Sequence, residues 1–357
     1  MANSYYQVAT TPKLYVSYPL FQYANGALDE YSSVVGGGAT YLSDKDIMQL
    51  IQIDPSKQVD LSQATTYGQI QLKIVPSFDE DTLVLDSGLW NFDYVMLLGH
   101  NFNTQKLDTA AYAVHSGNTA IGLSTSNIVN TTGENTPEYD GWSLMSLDDT
   151  APYNNSREFR LGISINTGGT FDGAKLGSLL YGKSYSFPQN CQMNTSTVFE
   201  YGVKQKSTIS GKTISTANWT KPNNWGTEPF GLTNGEEGDN FQRRTGRRVW
   251  KMTFDSLAPD KVFPQNMMIN DNNYTPQDNH TQGAAENSSL YNINNSEDFY
   301  SSVVHKTLGG HLPMVLQLDQ NDTSPSNFAI VRMNKDFKVQ QKSPLLYTYS
   351  ITLTEQI

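Results

Sequence analysis

The sequence predicts an all-β protein made of two β-sandwich, jelly-roll-like domains, with short helices and long loops or arms. Only 17% of the residues are charged, and the chain is rich in Asn, Thr, Ser, Gly and Tyr, which suits short strands joined by polar turns. Apolar residues alternate with period two in several segments that recur about every ten residues, without helices between them. At 357 residues the chain is long enough for two domains.

The stretch that anchors this prediction is residues 90–101, which read W-N-F-D-Y-V-M-L-L-G-H-N. Its large apolar residues occupy every second position from Trp90 to Leu98, so we expect a strand with one buried face. The polar turn at residues 99–101 ends this strand. The pattern indicates a central sandwich strand that delivers a loop at the edge of a sheet.

The remaining elements of the first half follow from local signals. An extended segment covers residues 14–18, and Ser43 with Asp46 resembles a capping box that begins a short helix. Apolar residues follow that box at helical spacing: Ile47, Leu50 and Ile51. Alternation predicts further strands at residues 70–75, 81–86, 110–115 and 157–166.

The second half shows the same pattern. We expect a strand at residues 198–206, a turn at Ser210-Gly211 and a second strand at residues 212–217. Later elements are a strand at 248–254, a short helix from Ser296 to Val304, and strands at 328–333 and 345–353. The expected organisation is an N-terminal arm and helix (1–60), a jelly-roll sandwich (61–190), and a second sandwich (191–357) with a long polar loop at 266–295.

Charge and composition argue against several classes of protein. The net charge is −11, so binding to nucleic acid would need a local basic patch, and the arginines between 243 and 248 fit a solvated strand end or a protein interface better. We expect no membrane insertion, because no apolar run approaches the roughly 20 residues of a bilayer span, and the N-terminus resembles no secretory signal. Cys191 is the only cysteine, which excludes an internal disulfide framework and a cysteine-based zinc site.

Two apparent motifs do not carry chemistry. Residues 177–184, G-S-L-L-Y-G-K-S, match the letters of a phosphate-binding loop, but apolar, strand-like residues fill the loop and Y-S-F-P follows where a helix should begin. The five histidines lack the spacing of a metal site, and the acidic clusters fit solvated turns. We therefore expect neither a metal nor a cofactor, and no catalytic residues.

A few polar and aromatic residues in turn-rich segments are weak candidates for binding a glycan or a neighbouring subunit. They are His100, Asn101, Tyr139, Trp142, Trp219 and Trp225. For His100 we favour a turn residue that hydrogen-bonds its own loop, with a ligand or catalytic role as the alternative. For the aromatics, packing at the edge of the core stays open beside the two binding roles.

Four segments together resemble virion structural proteins of tailed bacteriophages. They are W-N-F-D-Y-V-M-L-L-G-H-N-F, L-G-S-L-L-Y-G-K-S-Y-S-F-P, F-E-Y-G-V-K-Q-K-S-T-I-S-G-K-T and G-R-R-V-W-K-M-T-F. In that family an apolar strand runs into an L-G-H-N turn within a galactose-binding-like (discoidin-like) jelly roll. The resemblance covers residues 85–255 and 303–353. It implies a capsid, neck, tail or baseplate component that is assembled in the host cytoplasm, and it implies no catalytic residues.

We therefore expect a non-enzymatic structural protein of a phage virion, associated with the tail or baseplate. It would act as a homo-oligomer and through contacts with other virion proteins. A carbohydrate-binding module for host recognition, with a host glycan as partner, is the alternative. An enzyme such as a glycan hydrolase is the third reading, and it would need a pair of carboxylates that the sequence does not place.

Overall fold

Our computed structural model describes most of the chain. It covers residues 11–25, 28–35, 42–54, 57–62, 64, 68–76, 92–115, 120–122, 125–127, 136–137, 140–147, 156–192, 195–217, 246–264, 297–323, 327–334 and 337–356. Strands form 47% of these residues and helices 16%, and the sheets are antiparallel. This confirms the predicted all-β, sandwich-like class.

The strands are numbered in chain order. In the first half they are β1 (Lys13–Val16), β2 (Leu28–Val35), β3 (Val59–Asp60), β4 (Gln69–Pro76), β5 (Tyr94–Leu98), β6 (Leu107–His115), β7 (Ala120–Gly122), β8 (Thr125–Asn127), β9 (Trp142–Leu147), β10 (Ser156–Ile165), β11 (Lys175–Leu176), β12 (Ser178–Gly182) and β13 (Ser184–Ser186). In the second half they are β14 (Ser196–Glu200), β15 (Val203–Ser207), β16 (Thr213–Ala217), β17 (Arg247–Leu257), β18 (Met314–Gln317), β19 (Phe328–Met333), β20 (Val339–Ser343) and β21 (Leu346–Glu355). The helices are α1 (Tyr18–Ala24), α2 (Asp44–Ile51), α3 (Phe102–Gln105), a 3₁₀ turn (Pro259–Lys261) and a π-helix (Tyr300–His305).

Three large sheets stack as layers. Sheet I has the order β13-β1-β18-β19-β21-β17-β14, with β20 also paired to β21; sheet II is β12-β5-β9-β8, and sheet III is β2-β4-β10-β6-β7. Sheet II lies in the middle: the ring of Tyr94 packs 4.9 Å from Tyr15 of sheet I, and the ring of Tyr181 stacks 4.1 Å from Phe159 of sheet III. The two interfaces form one large shared core. Each apolar side chain that is fully buried there stabilises the fold by about 1.5–3 kcal/mol.

This stacking corrects the prediction for the anchoring strand. All five residues of β5 are buried, so the strand has two buried faces and not one. The physical reason is its place in the middle layer, with a sheet on either side. Its expected central position is confirmed, because β5 lies between β12 and β9. The predicted start at Trp90 lies outside the described residues.

The N-terminal segment is part of the core. β1 lies between β13 and β18 in sheet I, with Leu14 opposite Tyr185 on one side and Leu316 on the other. The hydroxyl of Tyr94 donates a 2.7 Å hydrogen bond to the carbonyl of Val16, which ties sheet II to the same strand. Sheet I therefore combines β1 with β13 and with strands from the second half of the chain.

The local helix signals predicted the start of α2 but not the start of α1. The capping box of α2 is confirmed, because the Ser43 side chain accepts from the Asp46 backbone while the Asp46 carboxylate accepts from the Ser43 backbone. The extended prediction for residues 14–18 was wrong at its end, since Ser17 caps α1 instead. Near the C-terminus, the carboxylate of Asp298 accepts from the backbone of Ser301 at the start of the predicted short helix.

The run that imitates a phosphate-binding loop is a strand. Its residues form β12, which is buried throughout and pairs with β5. Gly182 allows β12 to approach the N-terminal segment, because a Cβ atom there would lie 2.4 Å from the carbonyl oxygen of Val16. Lys183 forms an ion pair with Glu297, and Ser184 binds Asp93, so these polar residues hold the layers together.

Candidate interaction surface

The structure brings three of the sequence-predicted site residues together at one end of sheet II. Leu98, the last residue of β5, is paired with Trp142, the first residue of β9. The turn after β5 and the turn before β9 exchange two backbone hydrogen bonds of 2.6 Å: Gly99 N–H donates to the Gly141 carbonyl, and Gly141 N–H donates to the His100 carbonyl. Asn101 follows directly. Tyr139, Trp219 and Trp225 lie outside the described residues.

His100 is buried in its own loop. Its Nδ1 atom accepts a hydrogen bond from the backbone of Phe102 at 3.3 Å, and its ring stacks 4.7 Å from the Phe102 ring. Burial lowers the pKa of His100 to about 3, against a smaller opposing contribution from the Trp142 backbone. The side chain is therefore neutral at physiological pH, and the favoured interpretation as a loop-bonding turn residue is confirmed.

Asn101 uses its whole side-chain amide within the fold. Its Nδ2 atom donates to the carbonyl of Gly173 at 2.9 Å, and its Oδ1 atom accepts from the backbone of Lys175 at 2.8 Å. The amide therefore joins the turn after β5 to the segment that leads into β11. These bonds give Asn101 a structural task.

Trp142 is a core residue. Its side chain is completely buried, and its indole ring lies 4.8 Å from the ring of Phe328 in sheet I. Of the roles considered for the aromatics, core packing is therefore the one that this residue fills. The ring has no exposed face on which a sugar could stack.

Buried charges form a second group that sequence reasoning did not find. The Nζ atom of Lys306 donates to the Tyr18 hydroxyl at 3.1 Å, and burial lowers the pKa of this lysine to about 8. Asp93 accepts from the backbone and the hydroxyl of Ser184 at 2.7 and 2.6 Å, and burial raises the pKa of its carboxyl group. Each of these charged side chains is held by a hydroxyl group, Lys306 by Tyr18 and Asp93 by Ser184, so their described contacts are structural.

Within the part of the chain that the structure describes, no His, Cys, Asp or Glu residues cluster in a way that could hold a metal ion. Cys191 is half-buried against the cluster of buried apolar side chains that includes Phe187 and Phe254, as expected for a small apolar side chain. We also find no helix among the described residues with the length and hydrophobicity that a bilayer span requires.

The most exposed feature of the described chain is the hairpin of β15 and β16, residues 203–217, which we call the lysine hairpin. Its strands pair with each other, from Val203 opposite Ala217 to Ser207 opposite Thr213, and belong to no larger sheet. Every residue from 203 to 216 is exposed except the partly buried Thr208. Apolar side chains are exposed here too, including Val203 at 55% and Ile214 at 54%, while Ile209 lies fully exposed at the tip.

The lysine hairpin has one basic face. Lys206 lies opposite Ile214 and Lys204 lies opposite Thr216, so these side chains share a face. Alternation along β16 places Lys212 on the same side, two residues before Ile214. Among the described residues, none of these lysines has an ion-pair partner, and the hairpin contains no Asp or Glu.

The strand that precedes the lysine hairpin adds an exposed edge. β14 is the terminal strand of sheet I and pairs with β17 along one side. Its side chains Val198 and Phe199 are 43% and 52% exposed. An exposed edge strand with apolar side chains is a ready site for pairing with another chain. Together, β14 and the lysine hairpin form the candidate interaction surface.

Sequence reasoning found the hairpin but not its role. The predicted turn at Ser210-Gly211 and the second strand are confirmed, but the first predicted strand, 198–206, is divided at residues 201–202 into β14 and β15. The overlooked signal is the segment K-Q-K-S, which is polar on both faces of β15 and therefore cannot cover a core.

Comparison of the chain with known proteins finds no matching family model, no matching curated protein and no matching solved structure. The surface geometry and the sequence resemblance are therefore the basis for a functional proposal.

Proposed function

We propose that this chain is a non-enzymatic structural component of a tailed-phage virion, associated with the tail or baseplate. It acts by self-association and by contacts with other virion proteins. The observation that carries the proposal is the candidate interaction surface, which combines an exposed edge strand with a hairpin that joins none of the larger sheets among the described residues. The resemblance to phage virion proteins supplies the class of particle.

An exposed edge strand can pair with another protein chain. Proteins usually shorten, cover or charge an edge strand, because its free backbone groups invite pairing with other chains. β14 instead exposes Val198 and Phe199, and the lysine hairpin exposes Val203, Ile209 and Ile214. Apolar side chains at exposed edges are favourable when a partner covers them. A subunit of an assembly has such a partner.

The carbohydrate-binding alternative loses one of its residues. Sugar recognition by stacking needs an exposed aromatic ring. Trp142 is completely buried, so the turn after β5 brings no stacking ring with it. No described contact favours a glycan over a protein at the candidate interaction surface, and its combination of exposed lysines with exposed apolar side chains fits a protein partner.

The proposal is tested by quantitative mass spectrometry of purified particles of the phage whose genome encodes the chain. A structural component is expected in the particle at a fixed copy number relative to the other virion proteins, and it should stay associated after washing with high salt. Absence from the particle, with the chain present only in the lysate, would overturn the proposed function.

A further inference from the structure

The distribution of charge identifies a partner for the lysine hairpin. Residues 203–217 contain three lysines and no acidic residue, whereas the rest of the chain carries 21 basic and 35 acidic residues, a net charge of −14. We propose that the lysine hairpin docks on an acidic surface of a second copy of this chain. This inference rests on the self-association in the proposed function and specifies how it occurs.

The basic face is organised for such a contact. Lys204, Lys206 and Lys212 surround Ile214, whose side chain is 54% exposed at the centre of the face. An apolar centre with a charged rim is the usual arrangement of a protein interface. The rim lysines steer the approach of an acidic partner, and burial of Ile214 provides the apolar contact.

The lysine charges exclude a contact between two copies of the hairpin. If two hairpins met across a two-fold axis, the lysines of one would face those of the other, and the like charges would repel. The hairpin of one copy must therefore contact a different surface on the next copy. Such a contact can form twice across a two-fold axis, which gives a dimer, or run head-to-tail, which gives a ring or a filament.

Charge reversal of the basic face tests the proposal. The variant K204E/K206E replaces two exposed lysines, so its fold should be unchanged. Light scattering after size exclusion should show that half-association requires a concentration about tenfold or more above that of the wild type. Wild-type association should also weaken between about 0.1 M and about 1 M salt, because the screening length falls from about 10 Å to about 3 Å.

The matched control is Lys45→Glu, which changes one exposed lysine in α2, outside the hairpin. It should associate like the wild type. Equal association of wild type and K204E/K206E at both salt concentrations would overturn the proposed contact, while a virion location established by mass spectrometry would still support the proposed function. A wild type that stays monomeric at every concentration would overturn the contact as well.

Cross-linking identifies the receiving surface. Isotope-labelled and unlabelled copies are mixed and treated with a carbodiimide, which joins a lysine amine to a carboxylate in contact with it. The proposal predicts links from Lys204, Lys206 or Lys212 of one copy to Asp or Glu residues of the other. Links between copies that never include these lysines would contradict it.

Discussion

Arg248 and Glu355 form an ion pair inside the protein, between the neighbouring strands β17 and β21. The Nη2 atom of Arg248 lies 3.0 Å from Oε1 of Glu355, and its backbone N–H donates to Oε2 at 2.9 Å. The side chains are only 11% and 3% exposed. The adjacent Arg247 pairs with Glu200 at 2.9 Å on the surface instead, with side chains 37% and 43% exposed. Consecutive residues thus provide a buried pair and an exposed pair on one strand.

Loss of the buried partner should be far more costly than loss of the exposed one. Glu355→Ala removes the buried carboxylate that balances the Arg248 charge, so we expect the free energy of unfolding to fall by about 3–5 kcal/mol. Glu200→Ala is the matched control and should cost under about 1 kcal/mol. Urea denaturation measures both variants. Equal losses would show that the Arg248 pair is not buried in solution.

The buried Lys306 should make stability depend on alkaline pH. Its pKa of about 8 in the folded protein lies below the value of about 10.4 expected in the unfolded chain, mainly because of burial. Between these values the unfolded chain holds a proton that the folded protein has released, so the free energy of unfolding rises with pH. From about pH 7.5 to about 9.5 we expect a gain on the order of 2 kcal/mol relative to Lys306→Met.

The charged groups near Lys306 are Lys183, Asp298 and Glu297, and Lys183 forms an ion pair with Glu297. Urea denaturation of wild type and Lys306→Met at the two pH values gives the difference. The exposed replacement Lys45→Met should keep the wild-type gain. A gain that is identical in Lys306→Met would contradict the assignment to this lysine.

Local sequence signals were sufficient where the structure is local. The capping box at Ser43 and the turn at Ser210-Gly211 needed no information from distant residues. Helix α1 was within reach as well, since Ser17 before Pro19 is a helix-start signal. The prediction of one buried face for β5 overlooked a local signal, because Val95 and Leu97 make its apolar run continuous, which is typical of a strand buried on both faces.

The sequence did not reveal which strands pair with each other over long distances along the chain. Lys13 pairs with Ser186 and with Gln317, and no local pattern encodes a partner so far along the chain. Trp142 lies in a polar, turn-rich segment, so its burial depends on Phe328 of another sheet.

Trp142→Ala should destabilise the protein rather than remove a binding function. It deletes a fully buried indole between sheets I and II, so we expect the free energy of unfolding to fall by about 3–5 kcal/mol. Trp142→Phe retains an aromatic ring against Phe328 and should lose less. Chemical denaturation of both variants tests this expectation. A folded Trp142→Ala protein of wild-type stability would place the indole outside the core.

Removal of the lysine hairpin should leave the fold intact. Val203 and Ala217 are directly paired, so a short Gly-Ser turn can replace residues 203–217 without straining the ends. Among the described residues, no side chain from 203 to 216 belongs to a cluster of buried apolar residues, so the thermal midpoint should change by no more than about 2 °C. Calorimetry checks this, and a large decrease would mean that the hairpin supports the fold.

The most direct test of the central claim compares the solution mass of the intact chain with that of the hairpin-deleted chain, by light scattering at several concentrations. If the lysine hairpin drives assembly, the intact chain forms a concentration-dependent oligomer, and the deleted chain remains a folded monomer. The same mass for both chains at every concentration would contradict the claim that the lysine hairpin joins one copy to the next.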